Sequence, residues 1–139
     1  MREILDRLTE EIGWNRHIFT ETDLLEVCRL EGCAVVDGVL PELGVYMRLR
    51  GRPVIAIDRK LRGIERTMVL AHEVGHLLLH TPGQWYSWAG NEQKIQWQAD
   101  VFMACALIPR RSLYRLERLT AMPTNLLQLR SDVWERAGF

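Results

Sequence analysis

The stretch His72-Glu73-Val74-Gly75-His76 decides how this chain is organised. On a helix, residues four apart lie about 40° apart around the axis and about 6 Å apart along it. The two histidines therefore face the same side, at a spacing that one tetrahedral metal ion can bridge. The glutamate is rotated by about 100° from His72, so its carboxylate can reach a water molecule bound to that ion. The motif predicts metal-dependent hydrolysis, in which Zn²⁺ activates the water and Glu73 takes its proton.

The residues around the motif place it inside a buried helix. Residues 68–71 and 77–79 are apolar, and the helical pattern extends from about Leu61 or Ile64 to His80. A chance H-E-x-x-H in an ordinary helix is the alternative interpretation. We favour the metal site, because a glutamate buried between two histidines is costly unless an ionic partner compensates its charge.

Composition and charge predict one soluble globular domain that spans residues 1–139. Hydrophobic residues make up 47% of the chain and charged residues 26%, which excludes a disordered protein. The formal net charge is zero, and its uneven placement along the chain is typical of a solvated surface rather than a nucleic-acid footprint. We therefore expect no direct nucleic-acid partner. We also expect no membrane span, since no apolar run approaches the required length.

Cysteine usage predicts a cytoplasmic location. Cys28, Cys33 and Cys105 form an odd set without the spacing of a disulfide framework, which is typical of reduced thiols. The charged N-terminus also lacks the apolar core of a secretory signal. The oligomeric state is left open by these observations.

Periodicity predicts an α+β fold in which a small antiparallel three-stranded sheet packs on the central helix. Gly51 marks a tight hairpin between the last two strands. The strands are predicted at Cys33–Asp37, Val45–Arg50 and Pro53–Asp58, after helices over residues 2–12 and from Thr20 or Thr22 to Gly32. Further helices are predicted before Pro109, over Arg111–Leu119 and over Pro123–Ala137.

The helix before Pro109 offers candidates for a third metal ligand, which a catalytic zinc requires beside an open fourth position. Glu92, Gln96 and Asp100 form a stripe at i, i+4 and i+8 along this helix. His80 is a weaker candidate, since it follows His72 by eight residues, whereas the metzincin pattern places its third histidine ten residues on. We interpret His80 as a helix-end residue near the negative pole of the helix dipole.

A second stripe on the same helix predicts its packing. Ile95, Ala99, Phe102 and Ala106 recur at helical spacing and form its buried face. The small alanines suit close packing against Gly75, a glycine whose place inside a helix costs about 1 kcal/mol relative to alanine. We therefore expect the two helices to approach each other closely at Gly75.

Two motifs in this order resemble the ImmA/IrrE family of zinc metallopeptidases. They are residues 72–80, His-Glu-Val-Gly-His-Leu-Leu-Leu-His, and residues 96–104, Gln-Trp-Gln-Ala-Asp-Val-Phe-Met-Ala, followed by Leu107-Ile108-Pro109. The resemblance covers most of the chain. It implies a zincin-like fold, bound zinc and cleavage of a partner protein. That partner is typically a helix-turn-helix repressor of a phage, mobile element or stress regulon.

One position departs from the family pattern. His72, Glu73, His76 and Asp100 match it, but Gln96 stands where the family usually has a glutamate that ligates zinc. A glutamine offers a neutral amide oxygen, which holds zinc less tightly than a carboxylate. Three outcomes are open: Gln96 coordinates weakly, Glu92 or Asp100 replaces it, or the chain binds metal poorly and cleaves slowly.

The leading hypothesis is a zinc-dependent endopeptidase. His72, His76 and Gln96 would hold the ion, Glu73 would act as general base and then as acid, and Asp100 would orient a ligand histidine. The substrate backbone is expected to pair with a free sheet edge near Arg52–Asp58. The alternative is a catalytically impaired module of the same fold that only binds its protein partner.

Overall fold

Three strands and six α-helices make up the part of the chain that this computed structural model describes, residues 1–80 and 92–139. A 3₁₀ helix, Arg110–Tyr114, lies between the fourth and fifth α-helices. The elements in chain order are α1 (Arg2–Ile12), α2 (Glu21–Leu30), β1 (Ala34–Gly38), β2 (Gly44–Leu49), β3 (Arg52–Asp58), α3 (Gly63–Leu79), α4 (Glu92–Leu107), α5 (Leu116–Leu119) and α6 (Thr124–Ala137). This confirms the predicted α+β class, with a small sheet on a central helix.

Local signals set the limits of the first elements. Thr20 caps α2: its side chain accepts a hydrogen bond from the backbone N–H of Asp23, and the Asp23 carboxylate accepts one from the backbone N–H of Thr20. This reciprocal arrangement is a capping box, which satisfies two backbone donors at the start of the helix. Helix α1 ends at Gly13, whose φ of 75° is a left-handed conformation that glycine adopts without a steric penalty.

The sheet is mixed rather than antiparallel, which corrects the prediction. Strand β3 lies in the centre, antiparallel to β2 and parallel to β1. The two-residue turn at Arg50 and Gly51, both with positive φ, makes β2 and β3 adjacent and antiparallel. The connection from β1 to β2 is longer, and its residues 39–43 cross the end of β3. There the backbone N–H groups of Asp58 and Arg59 donate to Leu43 and Gly38 respectively.

This strand order also corrects the predicted docking edge. Arg52–Asp58 is β3, which has a hydrogen-bonded strand on each side and offers no free edge. The edges of the three-stranded sheet are β1 and β2. The hydrogen bond from Asp58 to Leu43 makes those two residues a hydrogen-bonded pair, and such pairs alternate along an antiparallel ladder. Gly44 and Tyr46 therefore turn their backbone groups toward the outer edge of β2.

Helices α3 and α4 pack against each other more closely than ordinary side chains allow. A Cβ atom added at Gly75 would lie 3.0 Å from both the Cα and the carbonyl oxygen of Ala99, and 3.2 Å from the Cβ of Phe102. The predicted buried face of α4, which includes Ala99 and Phe102, is buried. The expectation of a close approach at Gly75 is therefore confirmed.

The core continues from this contact toward the N-terminal helices. The fully buried Trp14 stacks on Phe102 with ring centroids 6.2 Å apart, and its indole N–H donates to the Phe102 carbonyl over 2.9 Å. An aromatic side chain with a polar atom is stable in a core when that atom has a partner. Residue 102 thus joins α4 to the segment after α1 as well as to α3.

The C-terminal segment differs from the prediction at one helix. The helix expected over Arg111–Leu119 is divided into the 3₁₀ helix and the short α5, because the backbone N–H groups of Ser112 and Arg115 donate to residues three positions earlier. Arg115 then leaves helical geometry with a ψ of 84°. The last helix, α6, matches the prediction.

Several C-terminal arginines are used within the fold. Arg130 is buried, and its Nε donates to the carbonyl of Ile108 over 2.6 Å. The guanidinium groups of Arg110 and Arg136 lie over the rings of Trp134 and Trp97, at 4.7 and 3.9 Å from the ring centroids. The expectation of no nucleic-acid partner stays a prediction. Among the described residues, no helix has the length and apolar character that crossing a bilayer requires.

Substituting Gly75 by alanine tests the contact between α3 and α4. Alanine improves helix propensity by about 1 kcal/mol, but overpacking against a helix backbone costs about 1–3 kcal/mol. We expect Gly75→Ala to lower the free energy of unfolding by about 1 kcal/mol, measured by urea denaturation with a chelator present. Ser131→Ala, at an exposed position of α6, is the control and should be neutral or slightly stabilising. An equal gain in both variants would contradict the close contact.

Candidate metal centre

Three side-chain atoms from α3 and α4 converge at one point. His72 Nε2 lies 2.8 Å from Gln96 Oε1 and 3.2 Å from His76 Nε2, and His76 Nε2 lies 3.3 Å from Gln96 Oε1. The two histidines are one helical turn apart on α3, as their spacing predicts, and Gln96 reaches them from the neighbouring helix. The structure thus brings together the three residues that the sequence nominated as ligands.

This triangle fits a tetrahedral ion. Zinc bonds of about 2.0–2.1 Å to nitrogen and oxygen place neighbouring ligand atoms about 3.3 Å apart in a tetrahedron. The observed separations of 2.8–3.3 Å are close to that value. Within residues 1–80 and 92–139, no group of three His, Cys, Asp or Glu side chains is arranged to hold a metal. The third corner of the present triangle is an amide oxygen.

Asp100 lies behind the triangle. Its carboxylate accepts a hydrogen bond from His72 Nδ1 over 2.8 Å, on the side of the ring opposite Nε2. This is the contact expected of a residue that orients a ligand histidine, and it holds the proton of a neutral His72 on Nδ1. In this position Asp100 does not replace Gln96 in the triangle. The side chain of Glu92, the other alternative, lies outside the described residues.

The environment of His72 favours a positive charge. Burial lowers the pKa of this histidine, but the hydrogen bond to Asp100 and the charges of Asp100 and Glu73 outweigh burial, so the pKa is raised overall. His76 has the opposite balance: burial, with the neighbouring His72 and His80, lowers its pKa to about 3. His76 is therefore neutral at physiological pH, which is the form that binds metal.

His80 has a partner on each side of its ring. Its position at the end of α3 is as predicted, and its backbone N–H donates to the His76 carbonyl. The side chain is buried rather than solvated: Nδ1 lies 2.9 Å from His76 Nδ1, and Nε2 lies 2.9 Å from Gln98 Oε1. A hydrogen-bonded chain therefore leads from Gln98 on α4 back to His76.

Glu73 lies beside the triangle in a site that keeps it partly protonated. Only 7% of its surface is exposed. Burial raises its pKa to about 7; the charge of Glu42 adds to this rise, while His72 and a hydrogen bond from the backbone of Tyr46 oppose it. A general base works best when its pKa is near the pH at which the enzyme operates.

A cleft of about 390 Å³ opens onto these residues. Its polar wall includes His72, Glu73 and Gln96, and Glu42 lies at its rim next to the start of β2. The other wall is apolar and consists of Leu43, Met68, Val69 and Met103. The cleft therefore places an apolar surface and the outer edge of β2 within reach of the candidate base.

The sequence did not predict the contacts that four residues make at the site. Tyr46 and Glu42 reach Glu73 only through the packing of the sheet on α3, so no local pattern reveals them. His80 and Gln98 carried a weak signal: His80 follows His76 by four residues, and Gln98 lies close to Gln96 on a helix already assigned to the site. That signal was insufficient to predict their contact.

Comparison with known families gives one match. Peptidase_M78, described as the IrrE N-terminal-like domain, matches residues 39–125, which is more than half of the chain and includes every element of the site described above. This confirms the resemblance inferred from the two motifs. No curated protein and no solved structure matches the chain significantly.

Replacing Glu73 by glutamine tests the burial of its charge. Because the pKa rises from its ordinary 4.5 to about 7, the folded protein binds more protons than the unfolded chain in this window. Its stability therefore falls as the pH rises from about 4.5 to about 7. In chelator, we expect Glu73→Gln to be more stable than the parent at about pH 8, by an amount that shrinks toward about pH 5.

Urea unfolding at both pH values measures this difference. Glu65→Gln, at an exposed position of the same helix, is the matched control and should show no such pH-dependent gain. A Glu73→Gln variant that is destabilised equally at both pH values would contradict the assigned environment.

Replacing Gln96 by glutamate tests its place in the triangle. A carboxylate binds zinc more tightly than a neutral amide, so we expect Gln96→Glu to raise the zinc affinity at least about tenfold. Competition with a chromophoric chelator measures this. Gln93→Glu adds the same charge at an exposed position of the same helix and is the control. If both variants bind zinc equally well, residue 96 does not contact the metal.

Proposed function

Because the chain belongs to the IrrE N-terminal-like family of peptidases, we propose that it is a zinc-dependent endopeptidase that cleaves a partner protein. The observation that carries this proposal is the triangle formed by His72, His76 and Gln96 beside a buried glutamate. Three atoms that can each offer a lone pair lie within 3.3 Å of one another, which favours a bound cation. The proposed partner is a helix-turn-helix repressor of a phage, mobile element or stress regulon.

Zinc held by His72, His76 and Gln96 would supply Lewis-acid chemistry, which polarises a peptide carbonyl and makes a water molecule more acidic. Glu73 would accept the proton of the attacking water and pass it to the leaving amine. Its position beside the three proposed ligands, in the lining of the same cleft, suits both steps. The backbone N–H of Tyr46 fixes the carboxylate, and Asp100 fixes the ring of His72.

The outer edge of β2 is the proposed binding edge for the substrate backbone. Gly44 directs its backbone groups outward along this strand, and the backbone N–H of Tyr46, the next outward-facing residue, donates to Glu73. A peptide added to this edge would form main-chain hydrogen bonds and pass directly beside the candidate base. This assignment replaces the edge at Arg52–Asp58, which the sheet buries.

The apolar wall of the cleft suggests which side chain lies next to the cleaved bond. Leu43 lines the cleft and is 58% exposed, and Met68, Val69 and Met103 complete the apolar lining. Methionine side chains adapt to irregular shapes, so such a wall accepts more than one large apolar residue. We infer a preference for an apolar residue beside the scissile bond.

A second candidate function rests on the identity of residue 96. A neutral amide at the third corner would weaken zinc binding, and a chain without zinc would still have the β2 edge and the apolar cleft. In that case the protein would bind its partner without cleaving it. Metal analysis of the purified protein separates the two functions: zinc near one equivalent supports the peptidase, whereas a protein that takes up no added zinc supports the binding module.

The catalytic role of Glu73 predicts that Glu73→Gln abolishes cleavage but retains zinc. General acid–base catalysis contributes about 10²–10⁴-fold, so we expect at least a 100-fold loss of cleavage rate with about unchanged zinc affinity. The assay follows fragments of a purified helix-turn-helix repressor incubated with this protein, with and without chelator.

Glu65→Gln should cleave at the parental rate, because it lies at an exposed position away from the cleft. Cleavage by Glu73→Gln at the parental rate would refute the assigned base. Cleavage that persists in excess chelator would refute the metal dependence.

A further inference from the structure

The chain of hydrogen bonds behind His76 sets the position of a proton. Gln98 Oε1 can only accept, so the Nε2 of His80, 2.9 Å away, must donate to it. A neutral His80 then has its lone pair on Nδ1. The Nδ1 of His76 lies 2.9 Å from that atom and must donate to it. The proton of His76 is therefore on Nδ1, and its Nε2 carries a lone pair.

That lone pair lies at the corner of the triangle. His76 Nε2 is the atom 3.2 Å from His72 Nε2 and 3.3 Å from Gln96 Oε1. The other tautomer would place a proton at this corner, where a metal ion needs an electron pair. His72 differs, because its Nδ1 faces the Asp100 carboxylate and its Nε2 faces the amide oxygen of Gln96, both of which accept. The hydrogen-bonded chain through His80 therefore sets the tautomer of His76 alone, whereas a proton on His72 Nε2 must leave when a metal binds.

From this geometry we propose that His80 and Gln98 are positioning residues, which hold His76 in the tautomer that presents Nε2 to the metal. The proposal rests on the zinc site of the proposed function. It assigns no contact between these two residues and the substrate, because His80 is 5% exposed and bonds to His76 and Gln98 behind the triangle. Their effect on metal binding passes through the ring of His76.

If residue 80 had only a structural role, it would not need the hydrogen bonds to His76 and Gln98. An apolar side chain could fill the volume of His80 at the end of α3, and it would need no hydrogen-bond partners in a buried site. A histidine there is stable only because both ring nitrogens are satisfied, one by His76 and one by Gln98. Partners of ligand histidines typically contribute 10–100-fold in metal affinity.

The matched variants are His80→Leu and His80→Asn. Leucine keeps much of the volume but removes the acceptor for His76 Nδ1–H, whereas the asparagine Oδ1 takes about the place of the histidine Nδ1 and can accept the same hydrogen bond. We expect His80→Leu to weaken zinc binding about 10–100-fold, and His80→Asn to restore most of that affinity. Gln98→Leu leaves residue 80 in place and should give a smaller loss in the same direction.

Two readouts separate positioning from structure. Zinc affinity comes from competition with a chromophoric chelator. Imidazole ¹⁵N chemical shifts of the metal-free protein report the tautomer of His76, which should be protonated on Nδ1 in the parent and in His80→Asn, and mixed in His80→Leu. Circular dichroism and urea unfolding establish that each variant is folded. If His80→Leu does not fold, Gln98→Leu and His80→Asn supply the same comparison.

Unchanged zinc affinity and an unchanged His76 tautomer in folded His80→Leu or Gln98→Leu would overturn the proposal. A parent protein with the His76 proton on Nε2 would overturn it as well. The tautomer of His76 is measured in the metal-free protein. If the parent fails to bind zinc, the peptidase function is refuted, but the tautomer measurement still shows whether His80 and Gln98 position His76. A parent that binds zinc without cleaving the repressor refutes only the repressor-cleaving function.

Discussion

The contact between α3 and α4 at Gly75 is the constraint on which the site depends. A Cβ atom at residue 75 would lie 3.0 Å from the backbone of Ala99, so a larger residue would push the two helices apart by a few tenths of an ångström. Gln96 lies one turn before Ala99, and Asp100 follows it directly. The same contact that fixes Ala99 against Gly75 therefore fixes Gln96 and Asp100 against His72 and His76. A shift of one residue along a helix is about 1.5 Å, whereas a functional site tolerates about 0.5 Å.

Close packing also explains how a polar cluster persists in the core. His76, His80 and Glu73 are each less than 10% exposed, a setting in which polar groups need partners. They find them on two neighbouring elements: Gln96 and Gln98 on α4, and the backbone of Tyr46 on β2. Of the buried side-chain nitrogen and oxygen atoms in the described part of the chain, only Arg130 Nη1 lacks a partner, and it lies outside this cluster. A buried network in which every polar group has a hydrogen-bond partner makes the core rigid rather than destabilising it.

Local signals in the sequence were enough to predict most of the elements and half of the site. The start of α2 at Thr20, one of the two threonines proposed for it, depends on neighbours in the chain, as do the turn at Gly51 and the apolar stripes of α3 and α4. The turn and the stripes lie where they were expected. The direction of β1 was not predictable, because an alternating pattern is the same in a parallel and an antiparallel strand. In the site, the i, i+4 spacing placed His72 and His76, and the stripe on α4 placed Gln96 and Asp100. The contacts of Tyr46, His80 and Gln98 depend on how elements distant in the sequence pack together. The spacing of residues along the chain does not show this packing.

The glutamine at residue 96 relates the two candidate functions through the equilibrium between the zinc-bound and the metal-free protein. Binding of a ligand stabilises the loaded protein according to its concentration relative to the dissociation constant. A weaker third ligand raises that constant without altering the cleft, the β2 edge or the position of Glu73. Under the proposed function, the peptidase and the binding module would be the zinc-loaded and the metal-free states of the same fold, and the zinc concentration would decide between them. If His80 and Gln98 hold the tautomer of His76 as proposed, they would offset part of the zinc affinity that the amide at residue 96 loses.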